Sequence, residues 1–293
     1  MYEITGKTKL TALLGSPISH SISPQMHNEA FRLLNLDYAY LAFDVSLKNL
    51  SVAIDGLKAI QICGFNLTMP LKTGIVEYLD ELTPAAKLAQ AVNTVINNNG
   101  KFIGHTTDGV GYMDFLIDSD IHIIGKNMTL LGAGGAATAI CVQAALDGVS
   151  EIRIFKRKNE SWQQTYDFAS KLRSETSCIV SLHDLEDKAD LKKSISESAI
   201  LVNATNVGMA PDINHSLITD DMLFPSLIVS DIIYNPMMTK LLQQAKNAGC
   251  RYSNGLYMLL FQGAASFQCW TGQKMPVAKI KEKYFTNKGE LNK

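Results

Sequence analysis

Short apolar runs alternate with stretches of helical spacing along nearly the whole chain. Residues 10–14 read as a strand stopped by Gly15. Ser23 and Pro24 then start a helix, serine as N-cap and proline at the first helical position, with Met26, Ala30, Leu33 and Leu34 on its apolar side. Residues 38–45 are strand-like, and residues 47–57 set Leu50, Ala53, Ile54 and Leu57 on one helical face. Residues 60–67 form a further strand, and Pro70 and Pro84 each restart a helix. Residues 91–96 and 101–104 flank Asn97, Asn98, Asn99 and Gly100, a strong hairpin signal. A helix over 110–117 leads into the second half.

There the run Met128 to Leu131 breaks at Gly132, Ala133, Gly134 and Gly135, and resumes at helical spacing from Ala136. Strands are expected at 151–155, 178–182, 199–202 and 227–232. Helices fall at 162–172 and 237–248, the latter stopped by Gly249. After Asn254 and Gly255 a last apolar helix, about 256–285, returns to the first domain, and a loose polar tail starts at Thr286. The pattern predicts an α/β protein. Residues 1–108 form a small mixed α/β domain, residues 109–255 a doubly wound Rossmann-type domain, with a cleft between them.

Strand, glycine turn and helix together meet the context of a dinucleotide-binding motif. Gly132 allows the turn, Gly134 lets the backbone approach a pyrophosphate, and Ala137 keeps helix and strand close. Ala133, Gly135 and Ala136 complete the loop at the positive end of the helix. The next strand ends in Lys156, Arg157, Lys158 and Asn159, where basic residues read a 2′-phosphate, so NADP is expected, with NAD as the alternative. A basic surface turn would look the same.

Composition narrows the rest. With 293 residues, a net charge of −1 and 46% hydrophobic residues, the chain reads as two soluble domains, with neither nucleic acid nor a membrane as partner. The first residues lack a signal-peptide core, and five scattered cysteines form no C-x-x-C pair, so cytoplasmic core thiols are expected. The six histidines show no metal-binding spacing.

Candidate chemistry gathers in the first domain. Ser21 and Ser23 lie at a helix start suited to an anion, although Ser23 is equally explained as a cap. Lys72 falls in the first turn of the helix after Pro70, where the dipole opposes a cation and favours proton exchange. Asn93 interrupts an apolar strand, and Asp108 opens the linking helix, either as a plain cap or as a carboxylate partner for Lys72.

Taken together, these motifs resemble the shikimate dehydrogenase family over essentially the whole chain, most of all its quinate/shikimate dehydrogenase branch. The resemblance rests on Ser21 to Pro24, Asn66 to Lys72, Ala91 to Thr94, Thr107 to Gly109, the glycine loop, and Gly255 to Gln262. It implies an oxidoreductase of the shikimate pathway, serving aromatic amino-acid biosynthesis by NADP-dependent reduction of 3-dehydroshikimate to shikimate. Residues 1–108 would then bind substrate and carry out the chemistry. By the same resemblance Ser21 and Ser23 bind the substrate carboxylate, and Thr68, Asn93, Asp108 and Gln262 hold ring hydroxyls. Lys72 and Asp108 form the catalytic pair. Tyr40, Thr107 and Tyr234 match further substrate-side positions, while Gly255 and Met258 match positions near the nicotinamide. Where that branch carries an aspartate this chain has Asn159, and Lys156 replaces its usual asparagine. The alternatives are a dual quinate/shikimate enzyme accepting NAD, and a non-catalytic dinucleotide or metabolite sensor. A monomer or a homodimer fits either.

Overall fold

The structure is a computed structural model and describes residues 3–285. The chain forms two compact units, one running up to Gly111 and again from Leu260 to Tyr284, the other Tyr112–Leu259 with Phe285.

The first unit is built on a mixed sheet of β1 (Lys9–Gly15), β2 (Tyr38–Asp44), β3 (Gly64–Leu67), β4 (Glu81–Leu82), β5 (Thr94–Asn98) and β6 (Lys101–His105), in the order β2-β1-β3-β5-β6-β4. β1 runs parallel to β2 and β3, whereas β5 is antiparallel to both β3 and β6. The turn at Asn97 to Gly100 closes the predicted hairpin: Asn99 and Gly100 take positive φ, and Asn97 Oδ1 accepts the Gly100 N–H at 2.7 Å. Helices α1 (Ser23–Leu33), α2 (Leu50–Ala59), α3 (Leu71–Gly74) and α4 (Pro84–Ala89) connect the strands. Leu14, Ile54, Phe65, Leu71, Val95 and Phe102 share one core beneath them.

Several boundaries differ from the sequence reading. The N-cap of α1 is Ile22, not Ser23, because the Ser23 N–H is taken by Ser21 Oγ at 3.2 Å and the helix begins one residue earlier. The helix expected over 47–57 opens as a 3-10 turn and runs on to Ala59; Gln61 at φ 54° ends it, so β3 starts at Gly64 rather than residue 60. Ala91 to Asn93 precede β5 instead of belonging to it, since the Val92 N–H bonds to Lys72 O at 2.8 Å rather than to a strand neighbour.

The second unit carries β7 (Asn127–Leu131), β8 (Glu151–Lys156), β9 (Ile179–Asp184), β10 (Ile200–Asn203), β11 (Ile228–Asp231) and β12 (Arg251–Ser253). Their order is β12-β11-β10-β7-β8-β9, and every pairing is parallel. This is the doubly wound order, with its switch point between β7 and β10. Its helices are α6 (Gly135–Leu146), α7 (Trp162–Glu175), α8 (Lys188–Ser196) and α9 (Lys240–Asn247). The alanines of α6 allow its close burial, Ala137 being 1% exposed. α9 starts after Thr239 rather than at residue 237, because the Thr239 hydroxyl caps the Leu242 N–H.

The boundaries between the units fall inside α5 (Asp108–Asp118) and α10 (Leu256–Thr271). The single C-terminal helix expected over about 256–285 is two, α10 and α11 (Val277–Tyr284): Gly272 at φ 71° ends the first and Pro276 precedes the second. The tail expected to be loose from Thr286 lies outside the described residues. No described helix is long and apolar enough to cross a membrane, and no cluster of three metal-ligating side chains occurs among the described residues.

Candidate active site

In the first unit the chain turns after β3 through Thr68 into α3, which carries Lys72. Its Nζ lies 2.5 Å from Asp108 Oδ2, at the first residue of α5. The side chains are 23% and 10% exposed, enough for a small molecule to reach the ammonium while most of the carboxylate stays dry. α3 is a single turn of four residues, so the dipole expected to oppose the lysine's charge is largely missing, and the carboxylate is its dominant electrostatic neighbour.

Asn93 holds the carboxylate from the other side. Its Nδ2 approaches Asp108 Oδ1 and Thr107 Oγ1, each at 2.9 Å, and Gln262 Oε1 at 3.2 Å; its Oδ1 accepts the Thr107 N–H at 2.7 Å. Behind it, the hydroxyls of Thr94, Thr107 and Ser266 lie 2.8–3.1 Å from one another. Asn66 Nδ2 donates to Thr94 Oγ1 and Ser266 Oγ, both at 2.9 Å. Asn66 Oδ1 accepts the Tyr40 hydroxyl at 2.8 Å. One continuous hydrogen-bonded path therefore joins Tyr40 to Lys72 through Asn66, Thr94, Thr107, Asn93 and Asp108. Tyr40 is fully buried, and burial holds its phenol well above the ordinary range, so it stays a donor.

Ser21 and Ser23 lie at the start of α1, Ser23 buried and Ser21 half-buried. Thr68 is half-buried; a Cβ at Gly15 would lie 2.2 Å from its Cγ2, so glycine there gives the threonine its place. His27 stacks on Tyr40 with centroids 4.4 Å apart and interplanar angle 12°; neither ring nitrogen has a hydrogen-bond partner among the described residues, and burial lowers its pKa to about 3.

The sequence reading missed Ser266 and gave Asn66 no role. Both left a signal: Asn66 is a lone amide inside a fully buried strand, and Ser266 follows Gln262 by four residues, on the same face of an apolar helix.

In the second unit β7 ends at the glycine turn. Gly132 takes φ 104°, and a Cβ there would lie 2.9 Å from both Ala204 O and Thr205 Cγ2. A Cβ on Gly134 or Gly135 would meet no atom of the described residues within 4 Å. Protein packing does not demand these two glycines, but a group seated against the turn would. Gly134 is the N-cap of α6, and Ala133 and Ala136 beside it add only methyl groups, so no side-chain oxygen caps the first N–H groups of this 12-residue helix. These residues fit a pyrophosphate.

The basic segment after β8 is less free than the sequence suggests. Lys156 Nζ donates to Ser161 Oγ at 2.5 Å and Thr165 Oγ1 at 3.2 Å, and burial lowers its pKa. Lys158 pairs with Asp184 Oδ2 at 3.2 Å and lies over the Trp162 ring. Asn159 Oδ1 accepts from the Ser161 N–H and hydroxyl at 3.2 and 3.0 Å. Arg157 is the exposed cation of the three with no such partner among the described residues. Asp184, in register with Lys156 on the neighbouring strand, is an acid that the sequence reading missed.

Tyr234, 41% exposed, follows β11. A Cβ at Gly255 would lie 1.8 Å from Ile232 O, so backbone packing alone requires that glycine. Met258 is buried two residues into α10.

A parallel sheet in doubly wound order with a glycine turn at its switch point, on a chain whose other unit holds an ammonium–carboxylate pair, defines the class: an NAD(P)-dependent oxidoreductase acting on a CH–OH group. Comparison with known proteins gives the family. Residues 13–95 match the shikimate dehydrogenase substrate binding domain, and residues 255–283 the shikimate 5′-dehydrogenase C-terminal domain. A shikimate dehydrogenase (NADP(+)) of Listeria monocytogenes serotype 4b is 52% identical over 283 residues, 96% of this chain and 97% of the relative. The crystal structure of shikimate 5-dehydrogenase from Listeria monocytogenes in complex with shikimate and NAD superposes with TM-score 0.93 at 52% identity, covering 97% of this chain and 99% of that one. The Thermus thermophilus enzyme in complex with NADP(H) and shikimate gives TM-score 0.81 at 30% identity, over 94% and 97% of the two chains. This chain belongs to the shikimate dehydrogenase family.

Proposed function

We propose that the chain reversibly reduces 3-dehydroshikimate to shikimate with NADP, residues 1–108 binding substrate and residues 109–255 the dinucleotide. The observation that carries this reading is the 2.5 Å contact between Lys72 and Asp108, fixed by Asn93 at the end of a buried polar network. A chain that only binds a metabolite needs no such proton-transfer pair.

A bound nicotinamide supplies the hydride exchange with the carbinol carbon. The chain supplies the rest. In oxidation Lys72, in its neutral form, takes the hydroxyl proton, and in reduction the ammonium returns a proton to the forming alkoxide. Asp108 orients the lysine and stabilises its charged form, while Asn93 keeps the carboxylate from turning away. Ser21 and Ser23 hold the substrate carboxylate, Thr68, Asn93, Asp108 and Gln262 bind ring hydroxyls, and Tyr40 and Thr107 serve further substrate-side positions. In the other unit Gly132 to Ala136 seat the pyrophosphate, Arg157 with Lys156 and Lys158 takes the 2′-phosphate, Gly255 and Met258 serve the nicotinamide end of the cofactor, and Tyr234 is assigned to the substrate. The enzyme works in the cytoplasm, as a monomer or homodimer.

A second reading, use of NAD and quinate as well, is favoured by the internal engagement of Lys156 and Lys158, which leaves less positive charge for a 2′-phosphate. Initial rates with shikimate and quinate, each against NADP and NAD, separate the two. Lys72→Ala should bind shikimate as the wild type does yet lose turnover by about 10²–10⁴-fold; unchanged turnover would end the mechanism.

A further inference from the structure

Asp231, at the end of β11, is fully buried, and no cation pairs with it among the described residues. It accepts three hydrogen bonds instead: from the Thr239 hydroxyl at 2.6 Å, Asn203 Nδ2 at 3.0 Å and the Ile233 N–H at 3.1 Å. Burial pushes its carboxyl up to about 6. An unpaired buried charge is a poor way to fill a core, because its desolvation is not repaid by an opposite charge.

What the carboxylate does is tie separate segments together. With its amide turned to Asp231, Asn203 presents Oδ1 to the Thr205 N–H at 3.1 Å and hydroxyl at 2.7 Å, and Thr205 Oγ1 accepts the Val207 N–H at 3.1 Å. That loop lies directly on the glycine turn, as the 2.9 Å approach of Ala204 O and Thr205 Cγ2 to a Cβ at Gly132 shows. Thr239, held by Asp231, caps α9. Ile233, whose N–H Asp231 fixes, accepts the Gly255 N–H at 3.0 Å on its carbonyl and so anchors the start of α10. The loops after β10 and β11, the glycine turn and the segment carrying Met258 thus share one buried anchor.

In a doubly wound sheet each half takes one mononucleotide. The basic segment after β8 lies in the half that would take the adenosine phosphate, and the loops Asp231 holds lie in the other. We infer that Asp231 is a positioning residue for the nicotinamide half of the dinucleotide, acting through Asn203, Ile233 and Thr239. This rests on the dinucleotide reading above.

The test compares two probes on the full chain, 2′,5′-ADP by calorimetry for the adenosine half and NADPH by fluorescence for the whole cofactor, along with kcat. Asp231→Ala should leave 2′,5′-ADP affinity within twofold of wild type, weaken NADPH at least tenfold and lower kcat. Asp231→Asn, which keeps shape and one acceptor, should fall between and covers the case in which the alanine variant does not fold. Parallel losses of both probes would mark a merely structural role, and unchanged NADPH binding would also overturn the inference. Wild-type protein that binds neither probe would instead overturn the dinucleotide reading itself.

Discussion

Replacing Gly111 by alanine tests whether the site depends on how closely α5 and α10 approach. A Cβ at Gly111 would lie 2.3 Å from Gln262 N, 2.5 Å from its Cα and 2.7 Å from its Cβ. These are mostly backbone atoms and cannot rotate aside. Ordinary carbon contacts need about 3.5 Å, so the helices must separate by roughly 1 Å. Gln262 Oε1 now lies 3.2 Å from Asn93 Nδ2, at the edge of hydrogen-bonding range, and the same shift would break that contact. Overpacking of this kind costs about 1–3 kcal/mol, and a misplacement of about 1 Å near reacting groups can cost about 10²-fold in rate. Gly111→Ala should therefore unfold several degrees lower in a thermal melt and lose about 10–100-fold in kcat, although neither Lys72 nor Asp108 is substituted. A variant with wild-type melting temperature and kcat would show that the two helices give way at no cost, and the positional argument for Gln262 would fail.

Three further outcomes follow from separate features. Gly134→Ala should fold with at most about 1 kcal/mol lost, the cost of alanine at an N-cap, since its Cβ meets no described atom within 4 Å, yet bind NADPH at least tenfold more weakly; tight binding by fluorescence titration would contradict the pyrophosphate assignment. Asp184→Asn should release Lys158 and remove a negative charge from the basic segment, raising affinity for 2′,5′-ADP about threefold at low salt and less at high salt, with 5′-AMP unaffected. Equal gains for both nucleotides would refute it. Asp231 has its carboxyl raised from 3.8 to about 6, so the folded state holds that proton more tightly than the unfolded chain does. Its favourable contribution is present below about pH 4 and is lost as pH rises through 6, a change of about 3 kcal/mol. Denaturant titrations from pH 4 to 7 should therefore show Asp231→Asn gaining stability relative to wild type, and a gap independent of pH would refute the shift.

The second unit was legible where sequence pattern and local geometry coincide. An apolar run, a glycine turn and an alanine-rich helix can hardly be arranged otherwise, and β7, Gly132 and α6 fall where the pattern puts them. Lys72 and Asp108 were legible as a pair, but the setting of the lysine was not: one turn at Pro70 looks the same in sequence whether it continues or stops. α8, whose first turn is Lys188, Ala189, Asp190 and Leu191, went unread because its polar residues outweigh its narrow apolar stripe. β4, of two residues, is too short to carry a period. The supporting residues were hidden for a different reason. Asn66, Ser266 and Asp231 acquire meaning from partners 28, 200 and 28 residues away, and no window of helical or strand length contains such bonds.

The triangle of hydroxyls at Thr94, Thr107 and Ser266 has a consequence of its own. Each oxygen can give or receive, and each hydrogen also has an acceptor outside the triangle, Gln262 O for Ser266 and Asn93 Oδ1 for the two threonines, so several arrangements of the hydrogens share the same heavy-atom positions. A close-packed interior thus retains a small orientational entropy, as ice does. If Lys72 exchanges a proton as proposed, the charge next to Asn93 changes and the hydroxyl dipoles can reorient while the side chains keep their places. The site then responds electrically without having to move.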